Sequence, residues 1–286
     1  MPEAQGVVPV AVFGAAGRMG RAIVRVLAES AGVRLAAAIE NADSPWLDHD
    51  AAALGGVSSG ASAGAASGAA GEAGAVRIKA EPPAAGVAAV WIDFSSPAAT
   101  EERARAAADR GVALVVGTTG VDAAGKQALA AAALHVPVVF APNTSVGITV
   151  LLRLVADAAR LLGPGYDLEI VETHHRSKRD APSGTALALA RALAAATGRD
   201  LARDVRYARQ GDIGPRTSSE IGIQSVRGGD VVGDHTVHFL GAGERIEITH
   251  RASSRDTFAR GAVRAALWAR GRDPGLYDMR DVLGLG

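Results

Sequence analysis

Apolar residues follow two rhythms along this chain. Up to about residue 142 they come in short unbroken runs, separated by glycine turns and Ala-rich stretches. Residues 7–13, 33–39, 87–94, 112–116 and 136–140 are such runs, the mark of strands buried on both faces. Residues 76–79 make a shorter one. Helices are expected between them: from the turn after Gly14 to near Gly32, from Pro97 to about Arg110, and over 122–134. Pro97 suits the first turn of its helix, where its missing N–H costs nothing. Strands alternating with helices predict an α/β domain with a Rossmann-like doubly wound parallel sheet over 1–145. Residues 147–162 read as an apolar helix leading into a second domain, 146–255.

The second rhythm belongs to that domain. Residues 166–171 read as a strand, and 186–196, rich in Ala and Leu, as a helix. Ser183 is its natural N-cap and Gly198 its natural end. From Ser219 onward, residues 221–227, 231–240 and 244–250 are extended segments. Gly228-Gly229-Asp230 and Gly241-Ala242-Gly243 separate them, which predicts antiparallel hairpins and an α+β domain with a mixed or antiparallel open sheet. Such a sheet suits a substrate domain or a subunit interface. Residues 256–270 read as an amphipathic helix, followed by a short tail. Residues 51–75 fit neither rhythm. They are almost entirely Ala, Gly and Ser, with little to bury, and a flexible insertion is expected there.

Composition narrows the function classes. The 286 residues carry 30 basic and 30 acidic side chains, so nothing points to a nucleic-acid or membrane partner. Aromatics make up 4%, too few for stacking platforms on single strands. There is no cysteine, which excludes disulfides, Cys-zinc sites and thiol catalysis, and no metal site is expected. The first residues lack a basic stretch followed by an apolar one, and no apolar run reaches membrane-spanning length. A soluble cytoplasmic protein is the expectation.

Two stretches carry chemistry. The first is Gly14-Ala15-Ala16-Gly17-Arg18-Met19-Gly20, between the first strand and its helix, with Glu40 closing the second strand 20 residues after Gly20. A Gly-x-x-Gly-x-x-Gly turn brings backbone N–H groups to a pyrophosphate at a helix N-terminus. An acid at the end of the second strand accepts hydrogen bonds from the ribose hydroxyls. The glycines alone are weak evidence in a glycine-rich chain; the strand, turn, helix, strand and acid together are strong. Gly14, Glu40, Ser95, Gly117 and Ala141 each follow a strand, so they should line one edge of the sheet, where ligands of such sheets bind.

The second stretch runs from Glu172 to Thr185. His174, His175, Arg176, Lys178 and Arg179 crowd a loop that runs into Pro182-Ser183-Gly184-Thr185, a helix start. The free N–H groups of a first helical turn attract anions, and Gly184 allows close approach. Imidazoles beside it can exchange protons near neutral pH. A cationic loop feeding an anion-binding helix end points to a small acidic substrate with proton transfer next to it. The competing reading is a solvated basic loop, which the Pro-Ser-Gly-Thr start makes less economical.

With these residues assembled, the chain resembles the 4-hydroxy-tetrahydrodipicolinate (dihydrodipicolinate) reductase family. The carriers are the glycine turn, Asp93-Phe94-Ser95, Gly117-Thr118-Thr119-Gly120, Ala141-Pro142-Asn143-Thr144-Ser145-Val146-Gly147, the 172–185 stretch, Gly233-Asp234-His235-Thr236-Val237 and the closing residues 277–284. The resemblance implies a dinucleotide-binding domain completed by 256–286, with a substrate domain inserted, and a homotetramer built on its open sheet. It implies reduction of a small cyclic dicarboxylate by NADH or NADPH in lysine and diaminopimelate biosynthesis. By position, His174 would donate or accept a proton and Lys178 donate one. His175, Ser183, Gly184 and Thr185 would hold the substrate carboxylates. Gly14, Ala15, Ala16, Gly17, Arg18, Met19, Glu40, Gly117, Thr118, Thr119, Ala141, Pro142, Asn143 and Thr144 would hold the cofactor. Members using the phosphorylated cofactor often place Arg after the acid that matches Glu40; this chain has Asn41, leaving Arg18 as the cation identifiable nearby.

Two other readings are open to a dinucleotide-binding chain. Aldehyde and semialdehyde dehydrogenases usually need a cysteine nucleophile, which is absent. A non-catalytic dinucleotide sensor would need the glycine turn but not the His174 to Thr185 constellation.

Overall fold

The structure, a computed structural model, describes residues 6–57 and 75–285. In chain order the elements are β1 (Val8–Phe13), α1 (Arg18–Glu29), β2 (Val33–Ile39), α2 (Ala51–Leu54), β3 (Ile78–Lys79), β4 (Val90–Asp93), α3 (Thr100–Asp109), β5 (Ala113–Val116), α4 (Ala123–Ala132), β6 (Pro137–Phe140) and α5 (Val146–Leu162). Then come β7 (Asp167–His174), α6 (Gly184–Thr197), α7 (Leu201–Asp204), β8 (Val205–Tyr207), β9 (Ile221–Arg227), β10 (Gly233–Leu240), β11 (Arg245–Ala252), α8 (Asp256–Ala269), β12 (Gly275–Tyr277) and α9 (Met279–Leu283). The chain divides into two compact units, one up to Val146 and again from Asp256, the other Gly147–Arg255.

The first unit is a parallel sheet in the order β12-β6-β5-β4-β1-β2-β3. Strand order reverses at β1, between β2 and β4, the switch point at which such sheets open a crevice for ligands. Unbroken apolar strands are explained by helices on both faces. Ala22, Ile23, Val26 and Leu27 of α1, with Ala262 and Ala266 of α8, bury one face. Ala104 and Ala107 of α3, with Leu129 and Ala132 of α4, bury the other.

The second unit is a mixed sheet in the order β11-β10-β7-β9-β8. Along β7 burial alternates residue by residue. Leu168 and Ile170 join Ile221, Ile223, Val237 and Phe239 against the apolar faces of α5 and α6. Full burial of a Leu, Ile or Phe side chain contributes about 1.5–3 kcal/mol, so this layer anchors both helices. Glu172 and His174 continue the same inward face of β7 beyond that layer.

Two expectations need correction. β10 and β11 form the expected antiparallel hairpin, but β9 pairs parallel with β7, and β10 lies on the other side of β7. The turn at Gly228–Asp230 therefore joins two strands that flank β7 instead of pairing with each other. The insertion expected over 51–75 is helical at its start: Asp50 caps α2 by accepting from the Ala52 N–H, and Ala51 is buried. Residues 58–74 of that stretch lie outside the described residues.

Candidate functional site

In the first unit the residues following β1, β2, β4, β5 and β6 lie along the carboxyl edge of one parallel sheet. Gly14 has φ +75°, the left-handed region that favours glycine, and a Cβ there would stand 2.7 Å from the Phe94 carbonyl oxygen. At Gly20 a Cβ would stand 2.1 Å from the Gly14 oxygen. Glycine is thus required for the turn and for packing α1 against it. Gly17 caps α1 with no side-chain hydrogen bond, so the first turn has no side-chain cap for its N–H groups. Ala15 is buried, whereas Arg18 is exposed. Glu40 Oε2 accepts from the Ala16 N–H at 2.9 Å, so the carboxylate lies against the turn itself. Backbone amides, an open helix end and an adjacent acid fit a dinucleotide.

The other positions expected to hold the cofactor are mostly fixed by bonds to the scaffold. Thr118 donates its hydroxyl to the Asp93 carbonyl (3.3 Å), and Thr144 to the Phe258 carbonyl of α8 (2.7 Å). Both hydroxyls therefore face the scaffold. Gly117 N–H bonds the Asp93 carbonyl, and a Cβ at Gly117 would overlap the Phe94 ring. Ala141 N–H bonds Val116 O, and Asn143 Oδ1 accepts from Ser145 N–H. Thr119 and Pro142 are exposed, and Met19 is half-buried. Arg18 is not alone near Glu40. Lys79 accepts the Glu40 N–H at its carbonyl, and the side chains of Arg77 and Lys79 both bond Asp48.

In the second unit the chemistry starts from a buried carboxylate. Glu172 is fully buried. Arg227 reaches it with both terminal nitrogens, each at 2.8 Å. The Ser183 N–H donates at 3.1 Å, and His174 Nδ1 stands 2.5 Å from Oε2. Burial raises the pKa of this carboxyl, but the bonds from Arg227, His174, Ser225 and Ser183 outweigh it and hold it at about 2. His174 is 8% exposed. Its imidazole is pushed down by burial, against the opposing pull of Glu172. His235 packs edge-on at 5.1 Å between ring centroids, and its Nε2 meets Ser183 Oγ at 3.1 Å. Burial, then repulsion from His174, pushes His235 down to about 4.

Ser183 is the N-cap of α6: its Oγ accepts from the Ala186 N–H. Gly184 is exposed, with nothing within 4 Å of where a Cβ would stand, and Thr185 is half-buried. His175 hangs from Val231 by its backbone, and its Nδ1 is buried with no partner among the described residues. Lys178 is paired within its own loop. Its ammonium bonds both oxygens of Asp180 at 2.8 Å, although Asp180 is itself mostly exposed. The structure thus gathers His174, His175 and Ser183 around one strand end and adds Glu172, Arg227 and His235. Glu172 and His174 at i and i+2 of a strand share a face, a signal present in the sequence. Arg227 has no such signal, because it meets Glu172 only through the β7–β9 pairing.

The first unit's sheet, its glycine turn and Glu40 define a Rossmann-type dinucleotide-binding protein with an inserted second unit. Residues 8–144 match the family model for the dihydrodipicolinate reductase N-terminus, and 147–283 that for its C-terminus. The chain belongs to the dihydrodipicolinate reductase family. It is 52% identical to the 4-hydroxy-tetrahydrodipicolinate reductase of Thiobacillus denitrificans over 278 residues, covering 97% of this chain and 99% of the relative. The corresponding protein of Anaeromyxobacter sp. is 50% identical, covering 97% and 98%. Among solved structures, the dipicolinate-bound dihydrodipicolinate reductase of Paenisporosarcina sp. TG-14 has the same fold, with TM-score 0.70 at 22% identity over 95% of this chain and 97% of that one.

Proposed function

We propose that this protein reduces 4-hydroxy-tetrahydrodipicolinate to tetrahydrodipicolinate with a reduced nicotinamide nucleotide, NADH or NADPH, on the route to diaminopimelate and lysine. The relatives at about half identity and nearly full coverage carry that name. The observation that carries the reading in this chain is the buried Glu172–His174 pair beside a basic loop and a Ser-capped helix start. The net change replaces a hydroxyl by hydrogen: a hydride and a proton enter, and water leaves. The bound nicotinamide supplies the hydride.

This chain's residues supply the rest. The first turn of α6, with Gly184 and Thr185 on it and His175 beside it, holds the carboxylates of the substrate by N–H groups and the positive helix end. His174 exchanges the proton at Nε2, because Nδ1 is engaged by Glu172. Lys178 trades Asp180 for a substrate carboxylate and donates a proton; its partner's exposure makes that exchange inexpensive. In the first unit the turn at 14–19 holds the pyrophosphate, Glu40 the ribose hydroxyls, and the backbone at 117–119 and 141–144 the remainder.

We further propose a homotetramer in the cytoplasm. Ile246 of β11 and Val226 of β9 are 41% and 47% exposed on the second unit's sheet, which fits burial against another copy, and light scattering tests it. Among the described residues no helix is long and apolar enough to cross a membrane. The test of function is loss of reduced-nicotinamide absorbance with freshly generated substrate. Turnover is expected in the parent and not in Lys178→Ala, with dinucleotide affinity retained. A chain that binds the dinucleotide but never turns over is a sensor, and that result overturns the reading.

A further inference from the structure

Glu172 takes no part in the reaction as assigned above, yet Arg227, His174, Ser225 and the Ser183 N–H all converge on its buried carboxylate. An ion pair this deep is weak evidence for stability, since desolvating two charges offsets their attraction. What distinguishes it is where its bonds lead. One oxygen takes His174 Nδ1 and the other takes the backbone N–H of Ser183, the cap of α6. An imidazole that gives Nδ1–H to a carboxylate is fixed in one tautomer and one ring orientation, and Nε2 is left for chemistry.

A second observation agrees. Gly233 opens β10 beside the imidazole, and a Cβ there would stand 2.9 Å from His174 Nε2 and 3.3 Å from its Cδ2. The backbone of Gly233 is not in the left-handed region, so conformation does not demand glycine here. Room for the Nε2 side of the ring does.

We propose that Glu172 is a positioning residue: it fixes His174 as the Nδ1–H tautomer with Nε2 as the proton-exchanging atom, and through Ser183 ties that imidazole to the carboxylate-binding start of α6. This rests on the reading of His174 as the proton-handling group. Arg227 keeps Glu172 ionised and in place, so Glu172 orients and stabilises the imidazolium without taking its proton. The charged and titratable groups facing His174 are Glu172 from β7, Lys178 from the loop, Arg227 from β9 and His235 from β10.

The test is Glu172→Gln in the full chain, with isotope-labelled histidine observed by nitrogen NMR, alongside kinetics and dinucleotide titration. His174 is expected to lose its single Nδ1–H state. Its limb of the pH–rate profile should move to lower pH, because the carboxylate that raises it is gone. Turnover should fall by a factor on the order of 10² or more, while the dinucleotide Kd stays within about threefold. Glu172→Asp should recover part of the rate. An unchanged tautomer and an unchanged pH limb in Glu172→Gln overturn the proposal. Should Glu172→Gln fail to fold, Gly233→Ala decides, since it leaves Glu172 and Arg227 intact and crowds Nε2; a fall in turnover of about tenfold supports the proposal and unchanged turnover overturns it. The tautomer is read without substrate, so it judges Glu172 separately from the reductase reading, which the parent's turnover judges.

Discussion

Two helices of this protein begin at the carboxyl end of a strand, and they are built in opposite ways. α1 follows β1 through residues 14–17, a turn of Gly and Ala with no side-chain cap and no charge before Arg18. α6 follows β7 through residues 175–183, a longer loop with a Ser cap that bonds the buried Glu172 carboxylate and the His235 imidazole, Glu172 in turn holding His174. The first presents backbone N–H groups with the Glu40 carboxylate beside them, which suits a dinucleotide whose pyrophosphate does not change during the reaction. The second surrounds the same kind of helix end with groups that titrate, which suits a ligand that must receive a proton. In the proposed reading the shared geometry provides anion binding in both, and the side chains around it decide whether anything more happens.

Single substitutions should separate the two ends. His174→Gln should cut turnover by roughly 10² to 10⁴ with little change in dinucleotide affinity. Gly20→Ala should do the reverse: its Cβ would stand 2.1 Å from the Gly14 oxygen, so dinucleotide affinity should collapse. The protein should also lose about 1–3 kcal/mol of stability. Kinetics, calorimetric titration and thermal melting of both variants check this. If either variant loses both functions equally, the division of labour is wrong.

Acid should also distinguish the units. The folded His235 titrates at about 4 against an ordinary 6.5, so the unfolded chain binds more protons between those values. Its contribution is full above about pH 6.5 and is lost as pH falls towards 4, on the order of 3 kcal/mol in all. The groups facing His235 are His174, Glu172, His250 and Lys178. Glu172 adds a second loss below that, between its ordinary 4.5 and about 2. In the first unit the buried Asp93 has the opposite sign, because burial raises its carboxyl, so acid relieves a cost there. Hydrogen exchange on the full chain at pH 5 and pH 7 should show protection falling in Gly147–Arg255 first. His235→Gln should flatten the slope; a slope that survives it would place the acid sensitivity elsewhere.

These contrasts also show what could be read from the sequence. β1, the glycine turn, α1, β2 and Glu40 were legible because they lie within about thirty residues and each link is local. So was the start of α6, where Ser183 and Pro182 state the cap, and its end, where Gly198 takes φ +68°. The parallel pairing of β9 with β7 was not, since strand pairing across some fifty residues leaves no local mark. That pairing is what brings Arg227 to Glu172, so the second site was legible in its residues but not in its wiring. β8 and β12, three residues each, are too short to show a period.

A smaller effect tests the proposed anion site of α6 directly. Thr185→Val keeps the shape but removes a hydroxyl, and a hydrogen bond to a charged group contributes about 1.5–3 kcal/mol. The Michaelis constant for the dicarboxylate should rise by about 10- to 100-fold, while that for the dinucleotide should hardly move. An unchanged constant for the dicarboxylate would mean that its carboxylates sit elsewhere.

The smallest effect concerns which dinucleotide the first unit takes. Glu40 can accept both ribose hydroxyls of NADH, whereas the 2′-phosphate of NADPH would face that carboxylate, and like charges at close range repel. An Arg at the next position would offset this with a planar fork suited to phosphate; here Asn41 is neutral and short. Three cations are candidates to compensate. Arg18 is exposed at the start of α1. Arg77 and Lys79 are close in the chain fold, with the Lys79 carbonyl accepting the Glu40 N–H, but both side chains are engaged at Asp48. NADH should therefore be used at least as well as NADPH. Asn41→Arg should move the ratio of kcat/KM towards NADPH by about tenfold, or 1.4 kcal/mol, mainly through KM. Asp48→Asn would release Lys79 and should move the ratio the same way but less. A parent that already prefers NADPH by about tenfold or more would overturn this and point to Arg18, Arg77 or Lys79 as the phosphate partner, and Arg18→Ala, Arg77→Ala and Lys79→Ala would then identify which of them it is.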